Sequence, residues 1–103
     1  MTLEKLRIFI AVADYGGFIK AAQSLYISHS TTSRAVASLE EYLGLKLFER
    51  TSRSLRLTDA GRLLLEEGRA LIERAHNLEE RLRKCAANEN NKDNRENAEE
   101  TGS

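Results

Sequence analysis

The sequence predicts a mainly α-helical chain: three short helices, a small β-hairpin and one long closing helix. Three observations predict it. Apolar residues recur at three- and four-residue steps through four segments, glycines punctuate them at Gly16-Gly17 and Gly44, and the period shortens to two only between Leu45 and Leu57. At 103 residues the chain has room for one small domain and an appendage. Charged residues make up 31%, above the usual ~25%, which suits helices with much wetted surface.

In the first helix Leu3, Leu6, Phe9, Ile10 and Ala13 share a face, with Thr2 as N-cap. After Gly16-Gly17 the pattern resumes at Phe18, Ala21, Ala22 and Leu25 on a short second helix. Ser28 is placed to cap a third helix whose inward face is Ala35, Val36, Leu39 and Leu43, and Gly44 closes it in the left-handed conformation. Residues 46 to 57 alternate apolar and polar around Thr51-Ser52-Arg53-Ser54, a hairpin with a basic tip. Thr58, followed by Asp59 in the first turn, starts the long helix.

From Leu64 the long helix carries a seam of Leu64, Gly68, Leu71, Ala75, Leu78, Leu82 and Cys85, alternating four- and three-residue steps as a coiled coil requires. Glu79 with Arg83, and Glu80 with Lys84, add favourable pairs four residues apart. A helix from 58 to about 87 extends ~45 Å, and a head of under sixty residues cannot cover so long a stripe, so the seam is expected to pair with a second chain. From Asn88 the chain is rich in Asn and poor in aliphatic residues, which predicts a disordered tail over 88–103. The expected organisation is a head over 1–57, a dimerisation helix over 58–87 and that tail.

Net charge is zero, but unevenly placed. Residues 1 to 87 hold 14 Lys and Arg against 11 Asp and Glu, and residues 88 to 103 hold 2 against 5, so an acidic tail cancels a basic body. Nucleic-acid binding depends on a local basic face rather than on the total, so neutrality does not exclude it. The sole cysteine, Cys85, and two histidines, His29 and His76, provide no internal disulfide and no tetrahedral zinc set; no metal and no cofactor are expected. No apolar run is long enough to span a membrane and the N-terminus does not read as a secretion signal, so the expected address is cytoplasmic.

Two short helices joined by a tight turn, with Ala22 allowing close approach, fit a helix-turn-helix. The second opens with Ser28-His29-Ser30-Thr31-Thr32-Ser33-Arg34, where short hydroxyls clear the walls of a major groove and longer donors reach base edges. An ordinary amphipathic helix with a hydroxyl-rich start fits those residues equally well. Arg50, Arg53 and Arg56 around the hairpin would make it a wing touching phosphate or a minor groove; by itself it also reads as a solvated charged turn. Ser28-His29 is no hydrolytic pair, because adjacent helical residues diverge and no oxyanion device accompanies them, so no enzyme is expected.

Taken in order, Leu3-x-x-Leu6-x-x-Phe9, Gly17-Phe18-x-x-Ala21-Ala22-x-x-Leu25, Ser28 with Ser33-Arg34, Leu39-Glu40, Leu43-Gly44-x-x-Leu47-Phe48-x-Arg50 and Leu57-Thr58-x-Ala60-Gly61 resemble the DNA-binding domain of LysR-type transcriptional regulators over Leu3 to Leu65. The resemblance implies a winged helix-turn-helix followed by a dimerising linker helix, and binding to interrupted dyad promoter sites. It departs from the family at His29, where Gln is usual, at Thr32, usually aliphatic, and at Ile19, where Ser or Thr commonly caps the second helix, with Lys20 beside it as compensation. A buried Thr32 hydroxyl is expected to bond a carbonyl one turn back. Such regulators normally continue into a larger effector-binding domain, so no small-molecule effector is expected for this chain.

The combined expectation is a homodimeric, sequence-specific regulator bound to double-stranded DNA. His29, Ser30, Thr31 and Arg34 read bases beside the capping Ser28; Arg53 contacts groove or backbone; Ser33, Arg50 and Lys20 anchor phosphates. The competing expectation is a short partner that modulates a full-length regulator by forming mixed dimers.

Overall fold

The computed structural model describes the backbone of residues 1–99 and the side chains of residues 1–88. Its elements follow the order α1 (Leu3–Tyr15), α2 (Phe18–Leu25), α3 (His29–Leu43), β1 (Phe48–Arg50), β2 (Leu55–Leu57) and α4 (Asp59–Glu99). Helices thus dominate, and the two strands form one antiparallel hairpin in which Phe48, Glu49 and Arg50 face Leu57, Arg56 and Leu55.

Local chemistry sets most boundaries. The Thr2 hydroxyl accepts the Lys5 amide at 3.1 Å and starts α1, which Gly16 ends at φ 71°. Tyr26 closes α2 in the same left-handed region, at φ 57°, which is uncommon for a side chain of that size. Ser28 caps α3 by accepting the Thr31 amide at 3.0 Å, and Gly44 ends it at φ 70°. The Thr58 hydroxyl accepts the Gly61 amide at 3.0 Å and donates to the Lys46 carbonyl at 2.7 Å, so one side chain starts α4 and ties it to the approach to the wing.

The core gathers Leu6, Phe9 and Val12 of α1, Ala21 of α2, Val36 and Leu39 of α3, and Leu47 with Phe48. Phe9 and Phe48 meet with ring centroids 5.2 Å apart, which locks the wing to α1. Leu3 and Leu43, placed inward by periodicity, are partly exposed, because the outer turns of α1 and α3 overrun the core. Thr32 is fully buried and donates to the Ser28 carbonyl at 2.9 Å, one turn back. That carbonyl also accepts the Thr32 amide at 3.1 Å. Thr32→Val is therefore expected to leave no orphaned acceptor and to change stability by under ~0.5 kcal/mol, read as the urea midpoint.

The first compact unit is Met1–Ile72, because Leu64, Leu65 and Ile72 of α4 pack on the core and Gly68 lies against Leu6. At Gly68 a β-carbon would sit 2.8 Å from Leu6 Cδ1, so this helix turn approaches closely because it lacks one. Arg69 makes a two-armed bond to Asp14 at the end of α1, one arm 3.0 Å long. That carboxylate raises the Arg69 pKa above its ordinary value, chiefly through the hydrogen bond.

The second unit begins at Glu73, where α4 continues to Glu99 instead of ending near residue 87. No glycine or proline lies between Gly68 and Gly102, and extending a formed helix costs far less than starting one. Of the segment 88–103, where a disordered tail is expected, the backbone of 88–99 is described as part of this helix; residues 100–103 lie outside the described residues. Arg83 pairs with Glu79 at 3.6 Å and also with Glu80, which the sequence had matched to Lys84. No helix among the described residues is long and apolar enough to cross a membrane, and no cluster of three or more His, Cys, Asp or Glu there could hold a metal ion.

Candidate nucleic-acid interface

The first turns of α3 present a small, polar and exposed surface. Ser28, His29, Ser30 and Thr31 are all exposed, whereas Ser33 is half-buried. The Ser28 hydroxyl donates to Thr31 Oγ1 at 2.8 Å and lies 3.2 Å from Ser30 Oγ, so the capping residues form one hydrogen-bonded patch. Arg34, one turn further on, lies back along its own helix: Nε donates to the Ser30 carbonyl and Nη2 to Ser30 Oγ, each at 3.3 Å. These bonds orient the guanidinium while leaving other N–H groups free to meet a partner. Ser30 and Arg34 thus behave as a pair.

A second cluster joins three elements. The Arg50 guanidinium of β1 lies over the Phe18 ring of α2, with Cζ 4.6 Å from the centroid, and the His29 ring of α3 meets the same ring edge-on at 6.2 Å. Lys20 and His29 both border a shallow depression beside Gly17 and Phe18. The structure therefore brings His29, Arg50 and Lys20 onto one surface. A groove of about 480 Å³ lies beside α3, lined among others by Lys5, Thr31, Arg34 and Ser38.

The wing tip is built separately. The Thr51 amide donates to the Ser54 carbonyl at 2.9 Å, and Thr51 Oγ1 accepts the Ser54 amide at 3.0 Å, closing a tight loop with Arg53 exposed at its bend. Among the described residues no hydrogen bond or ion pair joins Arg53 to another candidate residue; its amide donates to Thr51 Oγ1 at 3.4 Å. Arg56 faces Glu49 across the strands.

Two contributors escape a linear reading. Glu40 of α3 accepts the Leu47 amide at 2.8 Å and the Phe48 amide at 3.4 Å, fixing the chain where it enters the wing. Lys5 of α1 donates to Ser38 of α3 at 2.7 Å and so holds those two helices together along the groove. Glu40 was legible only as part of a motif, and nothing local marks Lys5.

The long-helix seam divides. Leu64 is half-buried on the head core and Gly68 is buried against Leu6. Leu71, Leu78, Leu82 and Cys85 are exposed, and Ala75 is half-buried.

Residues 3–62 match the family model described as the bacterial regulatory helix-turn-helix protein, lysR family. The chain belongs to the LysR family. Among its relatives are the HTH-type transcriptional regulator TfdT of Cupriavidus pinatubonensis, 45% identical over 67 residues, and ClcR of Pseudomonas putida, 46% identical over 67 residues. Each alignment covers 65% of this LysR-family chain but only 29% of TfdT and 23% of ClcR. The CbnR DBD, solved with DNA, superposes with a TM-score of 0.79 at 38% identity, covering 84% of this chain and 99% of that one. The BenM DBD, solved with catB site 1 DNA, gives 0.80 at 34% identity, with 84% and 96% covered. The fold is accordingly the winged helix-turn-helix of LysR DNA-binding domains, and its curated relatives are regulators rather than enzymes.

Proposed function

We propose that this LysR-family chain binds duplex DNA sequence-specifically and regulates transcription, acting as a homodimer on an interrupted dyad site. The observation that carries the reading is the surface just described: short hydroxyls and His29 at the start of α3, Arg34 braced by Ser30, and Arg50 brought beside His29 by Phe18. A major groove admits a helix with such a profile. His29, Ser30, Thr31 and Arg34 read base edges next to the capping Ser28, while Arg50, Ser33 and Lys20 hold phosphates. Arg53 enters the minor groove or meets the backbone from the wing tip. The solved DNA complexes of the CbnR and BenM DBDs support this reading.

Pairing follows from α4. Leu71, Leu78, Leu82 and Cys85 are exposed at coiled-coil spacing with Ala75 among them, and two such stripes bury each other more readily than one stays in water.

Substitution separates the two kinds of contact. Arg53→Ala is expected to weaken binding to all duplexes alike and to lower the salt dependence by about one counterion, as measured by titration at several salt concentrations. His29→Gln is expected to change which sequences are enriched from a random duplex pool, because Gln pairs with adenine in two-pronged fashion. If the His29→Gln protein selects the parent's sites, His29 does not read a base.

A further inference from the structure

The Phe18 ring is the one side chain that touches both Arg50 of the wing and His29 of α3 among the aromatic and cation contacts of the described residues. It is half-buried, its inner side meeting Phe48 edge-on at 6.1 Å, and it packs on the core. Its outer side carries the Arg50 guanidinium at 4.6 Å, and its rim meets the His29 ring at 6.2 Å. A leucine at this position would give the core an apolar side chain but no ring. Only an aromatic ring offers a cation a negatively polarised face.

Arg50 makes no ion pair among the described residues, so its charge is not neutralised inside the head. A guanidinium held flat against a ring loses most of its conformational freedom yet keeps its N–H edge for a phosphate, whose two oxygens match that edge. His29 stands at the first position of α3, where a base reader must be placed to within a fraction of an ångström.

We propose that Phe18 is a positioning residue that couples Arg50 to His29, so that the phosphate gripped by Arg50 sets how His29 meets its base. This rests on the DNA-binding reading above. Arg50 then determines sequence preference at a base pair it does not touch, and Phe18 does so without touching DNA at all. The arrangement differs from the Ser30–Arg34 pair, which lies within one helix.

The test uses the full chain and the duplex that the parent enriches from a random pool, with every base substituted at the pair sensitive to His29 replacement. Arg50→Lys keeps the charge but lacks the flat stack, and it does not touch the core. Preference at that pair is expected to fall about two- to fivefold in Arg50→Lys and in Phe18→Leu, and to be retained in Phe18→Tyr, which keeps the ring. In a His29→Ala background neither Arg50→Lys nor Phe18→Leu should alter the preference further. In the free protein, the Arg50 side-chain protons should resonate upfield through the ring's magnetic shielding, in the parent and in Phe18→Tyr but not in Phe18→Leu.

A uniform loss of affinity with preference intact in Arg50→Lys overturns the coupling, and an unshifted Arg50 resonance in the parent overturns the stack. Should Phe18→Leu fail to fold, Arg50→Lys and the parent spectrum decide between the same outcomes. A parent that shows the shifted resonance but enriches no duplex overturns the DNA-binding reading and the coupling built on it, and leaves only the stack.

Discussion

Replacing Gly61 with alanine is expected to unfold the head or to cost it at least ~3 kcal/mol, a large share of the ~5–15 kcal/mol that holds a small domain together. In an open helix the same change would gain about 1 kcal/mol of helix propensity. Here packing decides the sign. A β-carbon at Gly61 would overlap the Leu47 carbonyl oxygen and lie 2.9 Å from Leu57 Cδ2. Backbone cannot rotate out of the way as a side-chain tip can. Relief requires the first turn of α4 to move off the chain entering the wing, which breaks the Thr58 amide bond to the Leu47 carbonyl at 3.0 Å and the Thr58 hydroxyl bond to Lys46 at 2.7 Å. Gly68→Ala provides the contrast: its β-carbon meets only side-chain atoms of the buried Leu6 and no backbone, so a smaller loss of about 1–3 kcal/mol is expected. Urea midpoints of the two variants measure both effects, and a Gly61→Ala protein as stable as its parent would show that the close approach is not needed.

The second large effect concerns α4. Leu78 and Leu82 are 53% and 57% exposed in the single chain, and so contribute little to the stability of the head. Each would contribute about 1.5–3 kcal/mol if buried in a paired helix. Replacing both with aspartate removes that burial from both chains and sets like charges against one another. Sedimentation is expected to change from dimer to monomer. Affinity for a two-half-site duplex should fall at least ~100-fold, because each head must then bind alone. The melting of the head should not change. If the parent is already a monomer at high micromolar concentration, the exposed stripe serves some other purpose.

The contrast between these two experiments reflects what a linear sequence reveals. Caps and stops were legible because the partners lie within a few residues of each other: Thr2 with Lys5, Ser28 with Thr31, Thr58 with Gly61, and the left-handed Gly16 and Gly44. The Thr32 hydroxyl was placed correctly for the same reason. Periodicity marks a face but not how far a neighbour extends along it, which is why Leu3 and Leu43 emerge from the core and why Leu64 and Gly68 also pack on their own head. Low asparagine propensity argues against continuing a helix past residue 87, but the absence of any glycine or proline between Gly68 and Gly102 leaves nothing that stops one outright, and α4 runs on to Glu99.

In the candidate site, His29, Ser30, Thr31 and Arg34 were legible as the exposed opening of one helix. The partners that position them were not. Glu40 reaches the amides of Leu47 and Phe48, Lys5 reaches Ser38 from another helix, and Arg50 rests on Phe18, each a contact made only after the chain has folded back. Phe18 in particular reads as a core residue by spacing, and half of its surface is one.

Selecting duplexes from a random pool with the unmodified chain, and counting the chains bound to each selected duplex, tests the central claim most directly. The account predicts two half-sites in inverted orientation, separated by an unselected gap and occupied by two chains. Enrichment of a single half-site bound by one chain, or no enrichment at low salt, would contradict it.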